Sequence, residues 1–216
     1  MLKINSEFIE IGIGLKVPLC SVDLYDTENK PSSENFHPAD FKVTALMLNE
    51  NMSITSKDDF VYFGSREHIE FPDKGHMRPR SGDSSIYGSL WWMNTPGGIL
   101  EKEFLDDENL YWFPNKTKEE INTIKIHLSL FKGNDRFNEL NSGPFNNKCR
   151  FYIKIYQGKK NDEIVKFDFT EDYSGFDTLE LGCFKKINNQ WFFEHSGLPA
   201  KGGLRYLINK YAENFS

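Results

Sequence analysis

The sequence predicts a mainly β protein, a β-sandwich of two packed sheets with a C-terminal helix and few other helical turns. Three observations predict it. Strand-length segments alternate apolar and polar residues. Aromatic residues make up 15% of the chain, with 19 Phe, and such residues favour pleated, half-buried backbone. Helical spacing of apolar residues is convincing in one stretch only, near the C-terminus.

The segments with strand character run over 7–13, 15–24, 41–48, 60–63, 109–113, 121–131, 149–156, 163–169, 178–187 and 190–194. In the sixth of these, Ile124, Ile126, Leu128 and Leu130 point one way while Lys125, His127 and Ser129 point the other. In the seventh, Phe151, Ile153 and Ile155 oppose Arg150, Tyr152 and Lys154. Such patterns predict strands with one buried and one wetter face. Asn188–Asn189 between the last two segments is a short hairpin signal. Thr117 and Glu120 have capping-box spacing, which predicts a short helical turn over 117–120. Leu204, Leu207, Ile208 and Tyr211 share one helical face, and Gly202–Gly203 opens that helix.

All 216 residues are read as a single domain, with a long loop insertion at about 72–105 that holds Trp91–Trp92. A connection of that length points to a functional or interface role. There is no internal repeat and no low-complexity tract.

Composition narrows the function. The net charge is −6, and the densest basic cluster is Arg78–Pro79–Arg80, read as a solvated loop. A basic stripe that would displace counterions from phosphates is missing, so nucleic acid is not an expected partner. No apolar run reaches the length of a membrane span. Glu7 and Glu10 interrupt any signal-peptide core, which points to the cytoplasm. Cys20, Cys149 and Cys183 are far apart and form no CxxC pair, so they read as reduced thiols rather than a zinc knuckle or redox centre.

No catalytic constellation emerges. Gly12–Ile13–Gly14 begins a GxGxx pattern, but Pro18 follows and no helix opens there, so a twisted strand is the better reading. His37, His68, His76, His127 and His195 lack metal spacing such as HExxH, and no GxSxG elbow is present. His127, on the polar face of its strand, reads as an ordinary sheet histidine.

The acidic cluster Asp106–Asp107–Glu108 stands out. Adjacent carboxylates repel one another, and calcium, which takes six to eight oxygen ligands, relieves that repulsion. A solvated charge run is the alternative. An EF-hand starting at Asp23 is excluded, because Tyr25, Thr27 and Glu28 occupy positions that need oxygen donors and the turn glycine.

Several motifs in order resemble the TerD family of bacterial tellurite-resistance and stress-response proteins. Phe167–Asp168–Phe169–Thr170–Glu171–Asp172–Tyr173–Ser174 resembles that family's aromatic-Asp-Leu-Ser-Glu-Asp-Phe-Ser strand end. Thr178–Leu179–Glu180–Leu181–Gly182, Gln190–Trp191–Phe192–Phe193 and Gly202–Gly203–Leu204 follow at family spacing. Upstream, Asp59–Phe60–Val61–Tyr62–Phe63 is similar to its Asp-Phe-Val-Phe-Tyr run, and Asp106–Asp107–Glu108 to its Asp-Asp-Glu motif. The resemblance covers roughly residues 17–213.

It implies a non-enzymatic β-sandwich that binds Ca2+ through acidic loops clustered at one end, with other stress-response proteins as partners. Carried over by position, the implied ligands are Asp106, Asp107 and Glu108. Asp83, in Ser81–Gly82–Asp83, resembles the aspartate of the family's Gly-Asp-Asn turn. Asp40 matches the first aspartate of its Asp-Leu-Asp-Ala-Ser strand, and Asp23 the one closing its Gly-Trp-Asp strand. There are departures. Lys42 stands where a second aspartate is expected, Val22 replaces the early Trp, and Glu103–Phe104–Leu105 replaces Gly-Asp-Gly. The alternative expectation is therefore a calcium-independent protein-interaction sandwich with a decayed metal site.

Overall fold

The computed structural model describes residues 1–16, 41–62, 66–68, 77–88, 108–130, 150–158, 163–173 and 176–212. The strands are β1 (Leu2–Lys3), β2 (Ile9–Lys16), β3 (Phe41–Leu48), β4 (Phe60–Val61), β5 (Arg66–His68), β6 (Met77–Pro79), β7 (Ile86–Gly88), β8 (Glu108–Trp112), β9 (Thr123–Leu130), β10 (Arg150–Gln157), β11 (Glu163–Phe169), β12 (Thr178–Ile187) and β13 (Gln190–Ala200), followed by helix α1 (Gly203–Tyr211). Among the described residues they form a six-stranded sheet A in the order β1-β13-β12-β9-β3-β4 and a five-stranded sheet B in the order β11-β10-β2-β8-β7, with β5 and β6 as a separate pair. The strand pairings within both sheets are antiparallel.

The alternation read from the sequence decides which side chains face the other sheet. Ile124, Ile126 and Leu128 of β9, Val43, Ala45 and Met47 of β3, and Ile11, Ile13, Phe151, Ile153 and Ile155 of sheet B fill one core. Trp112 belongs to this core and is fully buried, with its ring 4.6 Å from Phe184 and 5.0 Å, edge on, from Trp191. Its indole Nε1 donates to Thr117 Oγ1 at 2.9 Å, which satisfies the one polar atom that burial would otherwise leave unpaired.

That bond corrects one expectation. Thr117 caps no helix: its hydroxyl accepts from Trp112, a 3-10 turn precedes it at Pro114–Lys116, and a single turn follows it, closed by the Ile121 N–H donating to the Lys118 carbonyl at 3.2 Å. The expected strands 7–13 and 15–24 correct to a single strand through Lys16 as far as the structure is described, with Gly14 in its middle. Gly14 is required there because the Tyr152 ring lies across it, within 2.2 Å of where a Cβ would stand. Strand β13 runs on to Ala200. Its last residues, Pro199 among them, pair with β12, while β1 reaches only Phe192 and Phe193. The expected loop 72–105 contains β6 and β7, and Arg78 lies in β6 rather than in a loop. Trp91–Trp92, Cys20 and Cys149 fall outside the described residues. Cys183 is a buried free thiol.

The hairpin and the helix match their sequence signals. Asn188 and Asn189 both adopt positive φ, 49° and 59°, the backbone of a two-residue turn that follows the twist of its strands. Helix α1 buries Leu204, Leu207 and Tyr211 against Leu46, Leu48, Ile54 and Phe60 on the outer face of sheet A. Asp177 Oδ1 accepts from the backbone N–H groups of Gly202 and Gly203 at 2.6 and 2.8 Å. This carboxylate satisfies helix-start donors that the N-cap glycine cannot.

Because α1 covers that face, the polar side of β9 is not wetter, as the alternation predicted. His127 is 3% exposed and Ser129 is fully buried. Glu180 accepts from Lys125 Nζ at 2.8 Å, and its Oε2 lies 3.6 Å from His127 Nε2. Burial alone would raise the Glu180 carboxyl, but His127 and Lys125 outweigh it and hold it at about 2. Burial holds the His127 imidazole below its ordinary value. The signs agree. The unfolded chain takes up a proton on His127 below about pH 6.5 and on Glu180 below about pH 4.5, while the fold resists both. Stability is therefore expected to fall steadily as pH drops from about 6.5 towards 2. Denaturant midpoints across that range check it, and His127→Gln is expected to flatten the portion above about pH 5.

Strand β12 carries an irregularity between Glu180 and Gly182 in its pairing with both neighbours. A Cβ on Gly182 would stand 2.6 Å from the Phe193 ring and 2.7 Å from the Glu194 carbonyl oxygen. Backbone cannot yield as a side-chain tip can. Gly182→Ala is therefore expected to lower stability by about 1–3 kcal/mol in urea denaturation.

Candidate functional site

The two ends of the sandwich are distinguished by chain direction. At one end Trp112 of sheet B meets Phe184 and Trp191 of sheet A. At the other, Ile13 pairs with Glu108, Lys16 with Arg150 and Phe41 with Leu130. Lys16, Phe41, Gly88, Glu108, Leu130 and Arg150 are all strand termini at this Glu108 end. Of the six candidate ligands, Glu108 opens β8 there. Asp23, Asp40, Asp106 and Asp107 lie outside the described residues. Asp40 is bonded to Phe41, Asp107 to Glu108, and Asp23 belongs to the connection from Lys16 to Phe41.

Asp83 lies elsewhere. The register Ile86 to Trp112, Tyr87 to Tyr111 and Gly88 to Leu110 puts the start of β7 beside the end of β8. Asp83 precedes that start, so it stands at the Trp112 end. Glu108 is four residues back along β8 from Trp112, roughly 13 Å at the rise of an extended strand. Asp83 and the start of β8 at Glu108 thus belong to opposite ends of that strand.

At its own end Asp83 ties loops together. Its Oδ1 accepts from Ser81 Oγ at 2.7 Å and from the Ser85 N–H at 2.9 Å, and its Oδ2 from the Lys118 N–H at 3.0 Å. Burial raises this carboxyl, but the donors from Ser81, Ser85 and Lys118 outweigh it and leave the pKa below the ordinary value. Ser84 takes a positive φ of 58° to close the turn. Gly82 fits beneath Asp58, whose Cβ would be 2.9 Å from an added Cβ.

Lys118 links this turn to a second aspartate. Its Nζ donates to Asp59 Oδ1 at 2.9 Å. Asp59 is fully buried, and its Oδ2 accepts from the Thr55 N–H, the Thr55 hydroxyl and the Ser56 N–H at 3.2, 2.6 and 2.9 Å. Ser56 in turn caps the 3-10 turn at Lys57–Asp59 in a capping box. Asp59, Asp83 and Lys118 thus join the segment before β4, the β6–β7 turn and the β8–β9 connection. Among the described residues, no group of three or more His, Cys, Asp or Glu side chains is arranged to hold a metal ion.

The site reading counted neither Asp59 nor Lys118. The spacing Ser56-x-x-Asp59 carried the signal for the first. Nothing local marks Lys118, whose partner is 59 residues away in the chain.

The pattern of motifs, sheets and terminal helix has a counterpart among known proteins: the TerD domain family model matches residues 16–211. The chain belongs to the TerD family. A curated relative of this TerD protein is general stress protein 16U of Bacillus subtilis (strain 168), 19% identical over 175 residues, covering 81% of this chain and 78% of the relative. Another is chemical-damaging agent resistance protein B of Clostridium acetobutylicum, 22% identical over 109 residues, covering 50% of this chain and 75% of the relative. Among solved structures, a homologue of telluride resistance protein (TerD) from Streptomyces coelicolor A3(2) superposes with a TM-score of 0.57 at 12% identity, covering 94% of this chain and 95% of that one. That likeness supports the TerD sandwich as the fold.

Proposed function

We propose that this TerD protein is a non-enzymatic calcium-binding module of a cytoplasmic stress-response system, whose acidic segments bind Ca2+ and so order a surface for partner proteins. The observation that carries the reading is topological. The chain connections holding Asp23, Asp40, Asp106, Asp107 and Glu108 are joined to strand termini at one end of the sandwich. Their donor set is carboxylate oxygen, the chemistry that calcium prefers. Carboxylates adjacent in sequence, as at Asp106, Asp107 and Glu108, repel one another, and a divalent cation converts that repulsion into attraction. The printed names of the relatives, a general stress protein and a chemical-damaging agent resistance protein, support the stress-response setting.

Thermal unfolding tests the metal step. With free calcium at a hundred times the dissociation constant, binding to the folded chain alone adds about 2.7 kcal/mol. For a chain of this size that is a rise in midpoint of about 5–10 °C. Magnesium, which keeps its water and demands a smaller octahedral shell, is expected to give much less. An unchanged midpoint at millimolar calcium contradicts the reading.

Lys42 favours a second reading. Its backbone on β3 pairs with that of Ser129 on β9, at the Glu108 end, and a cationic residue there replaces the second aspartate of the family pattern. On that reading the sandwich docks partners without calcium, and the unchanged midpoint is its expected result.

A further inference from the structure

Among the described residues, the apolar cluster beneath α1 shares no member with the core between the two sheets. The helix rests on Leu46, Leu48, Ile54 and Phe60 of sheet A and the segment before β4, while Trp112, Phe184 and Trp191 belong to the inter-sheet core. The helix can therefore leave its seat by a local opening that spares that core. Its entry is jointed. Gly202 and Gly203 both take positive φ, 113° and 59°, and Asp177 Oδ1 accepts from both of their N–H groups. A histidine lies under the helix. His127 of β9 is buried, and the Tyr211 ring of α1 is 6.4 Å from its ring. Its surroundings suit the neutral imidazole. Glu180 Oε2 on β12 lies 3.6 Å from His127 Nε2, but the same oxygen already accepts from Lys125 Nζ at 2.8 Å. Lys210 of α1 adds a second ammonium acting on His127. A proton on the ring is thus a third positive charge around one carboxylate, in a place that water reaches only when α1 is away. Charge gathered out of water in this way is costly.

We propose that α1 is a pH-sensitive latch: on acidification, the proton taken up by His127 releases the helix from sheet A about the Gly202–Gly203 joint and uncovers the apolar face that holds Leu46, Leu48 and Phe60. The other groups at the interface leave this role to His127. On β12, burial keeps the Cys183 thiol above its ordinary value and so protonated. On α1, Tyr206 and Tyr211 are phenols that pack at the cluster, and Arg205 is exposed. On β3, Thr44 stands opposite His127 and does not titrate. Burial foremost, then Lys125 and Lys210, hold the docked imidazole below its ordinary value despite Glu180. A released and hydrated ring returns to about 6.5. The released form therefore binds the proton more tightly, and docking weakens as pH falls below about 6.5. Between pH 7.5 and 5.5 the opening constant of α1 is expected to rise about tenfold.

Hydrogen exchange of the full-length protein, followed by mass spectrometry and divided by the intrinsic rate at each pH, tests the latch. Peptides spanning α1 are compared with peptides spanning β10, in wild type and in His127→Gln, at pH 7.5 and 5.5. The expected result is an α1 opening about tenfold greater at the lower pH in wild type, with little change in β10 and no such rise in the variant. An α1 opening that does not change with pH in wild type overturns the proposal. So does an equal rise in α1 and β10, which is general unfolding, or an equal rise of α1 in both proteins, which removes His127 from the cause. If His127→Gln does not fold, His127→Phe, an apolar ring without a titrating group, takes its place with the same expectations. If neither folds, the wild type decides: a rise confined to α1 supports the latch, and a shared rise or none overturns it.

Discussion

Asp59→Ala is expected to lower the unfolding free energy by about 3–5 kcal/mol, the range for breaking a buried charge pair from one side. The carboxylate is wholly enclosed and accepts from the Thr55 N–H and hydroxyl, the Ser56 N–H and Lys118 Nζ. Its removal strands these donors together and releases the capping box at Ser56. The loss then spreads, because Lys118 also presents its N–H to Asp83, and Asp83 shapes the turn that starts β7. Asp59→Asn keeps the shape and part of the acceptor set, so it is expected to fall between Ala and wild type. Lys118→Met is expected to cost less than Asp59→Ala, because the Lys118 side chain is 29% exposed and the remaining carboxylate keeps its three other donors. Chemical denaturation of the three variants checks the order. Equal stability of Asp59→Ala and wild type contradicts this account of the loop node.

Trp112→Ala is expected to have a comparable effect, about 3–5 kcal/mol. Its ring occupies the space between the sheets against Phe184 and Trp191, and a methyl group leaves most of that volume unfilled. Close-packed interiors relax only partly into such a gap. The change also frees Thr117 Oγ1. Trp112→Phe keeps most of the packing and loses the indole donor, so it is expected to cost markedly less. Urea midpoints at constant m-value separate the two variants.

These variants mark where the sequence was legible. The alternation in 121–131 identified β9, and the apolar spacing from Leu204 to Tyr211 identified α1, because both follow from local periodicity. The Asn188–Asn189 turn was legible because two adjacent residues tolerant of positive φ bridge two strands. The capping role of Thr117 misled because its hydroxyl has two possible users, and the tertiary one, Trp112, takes it, although a turn does form over the residues that follow. The face of β9 that reads as solvated is covered by α1, a packing decision that alternation cannot contain.

The candidate site divides in the same way. The acidic run ending at Glu108 shows in the sequence, and so does its attachment to a strand. That Asp83 belongs to the opposite end depends on β7 pairing with β8 in one particular register. That Asp59 and Lys118 meet depends on contacts across 59 residues. Neither leaves a local trace.

Calorimetric titration of the full-length protein with calcium, wild type beside Asp106→Ala, Asp107→Ala combined, tests the central reading most directly. Saturable heat in the wild type that the double variant loses, with the variant still folded, is the predicted result. Saturable heat of the same size and affinity in both, or none in the wild type at millimolar calcium, contradicts it.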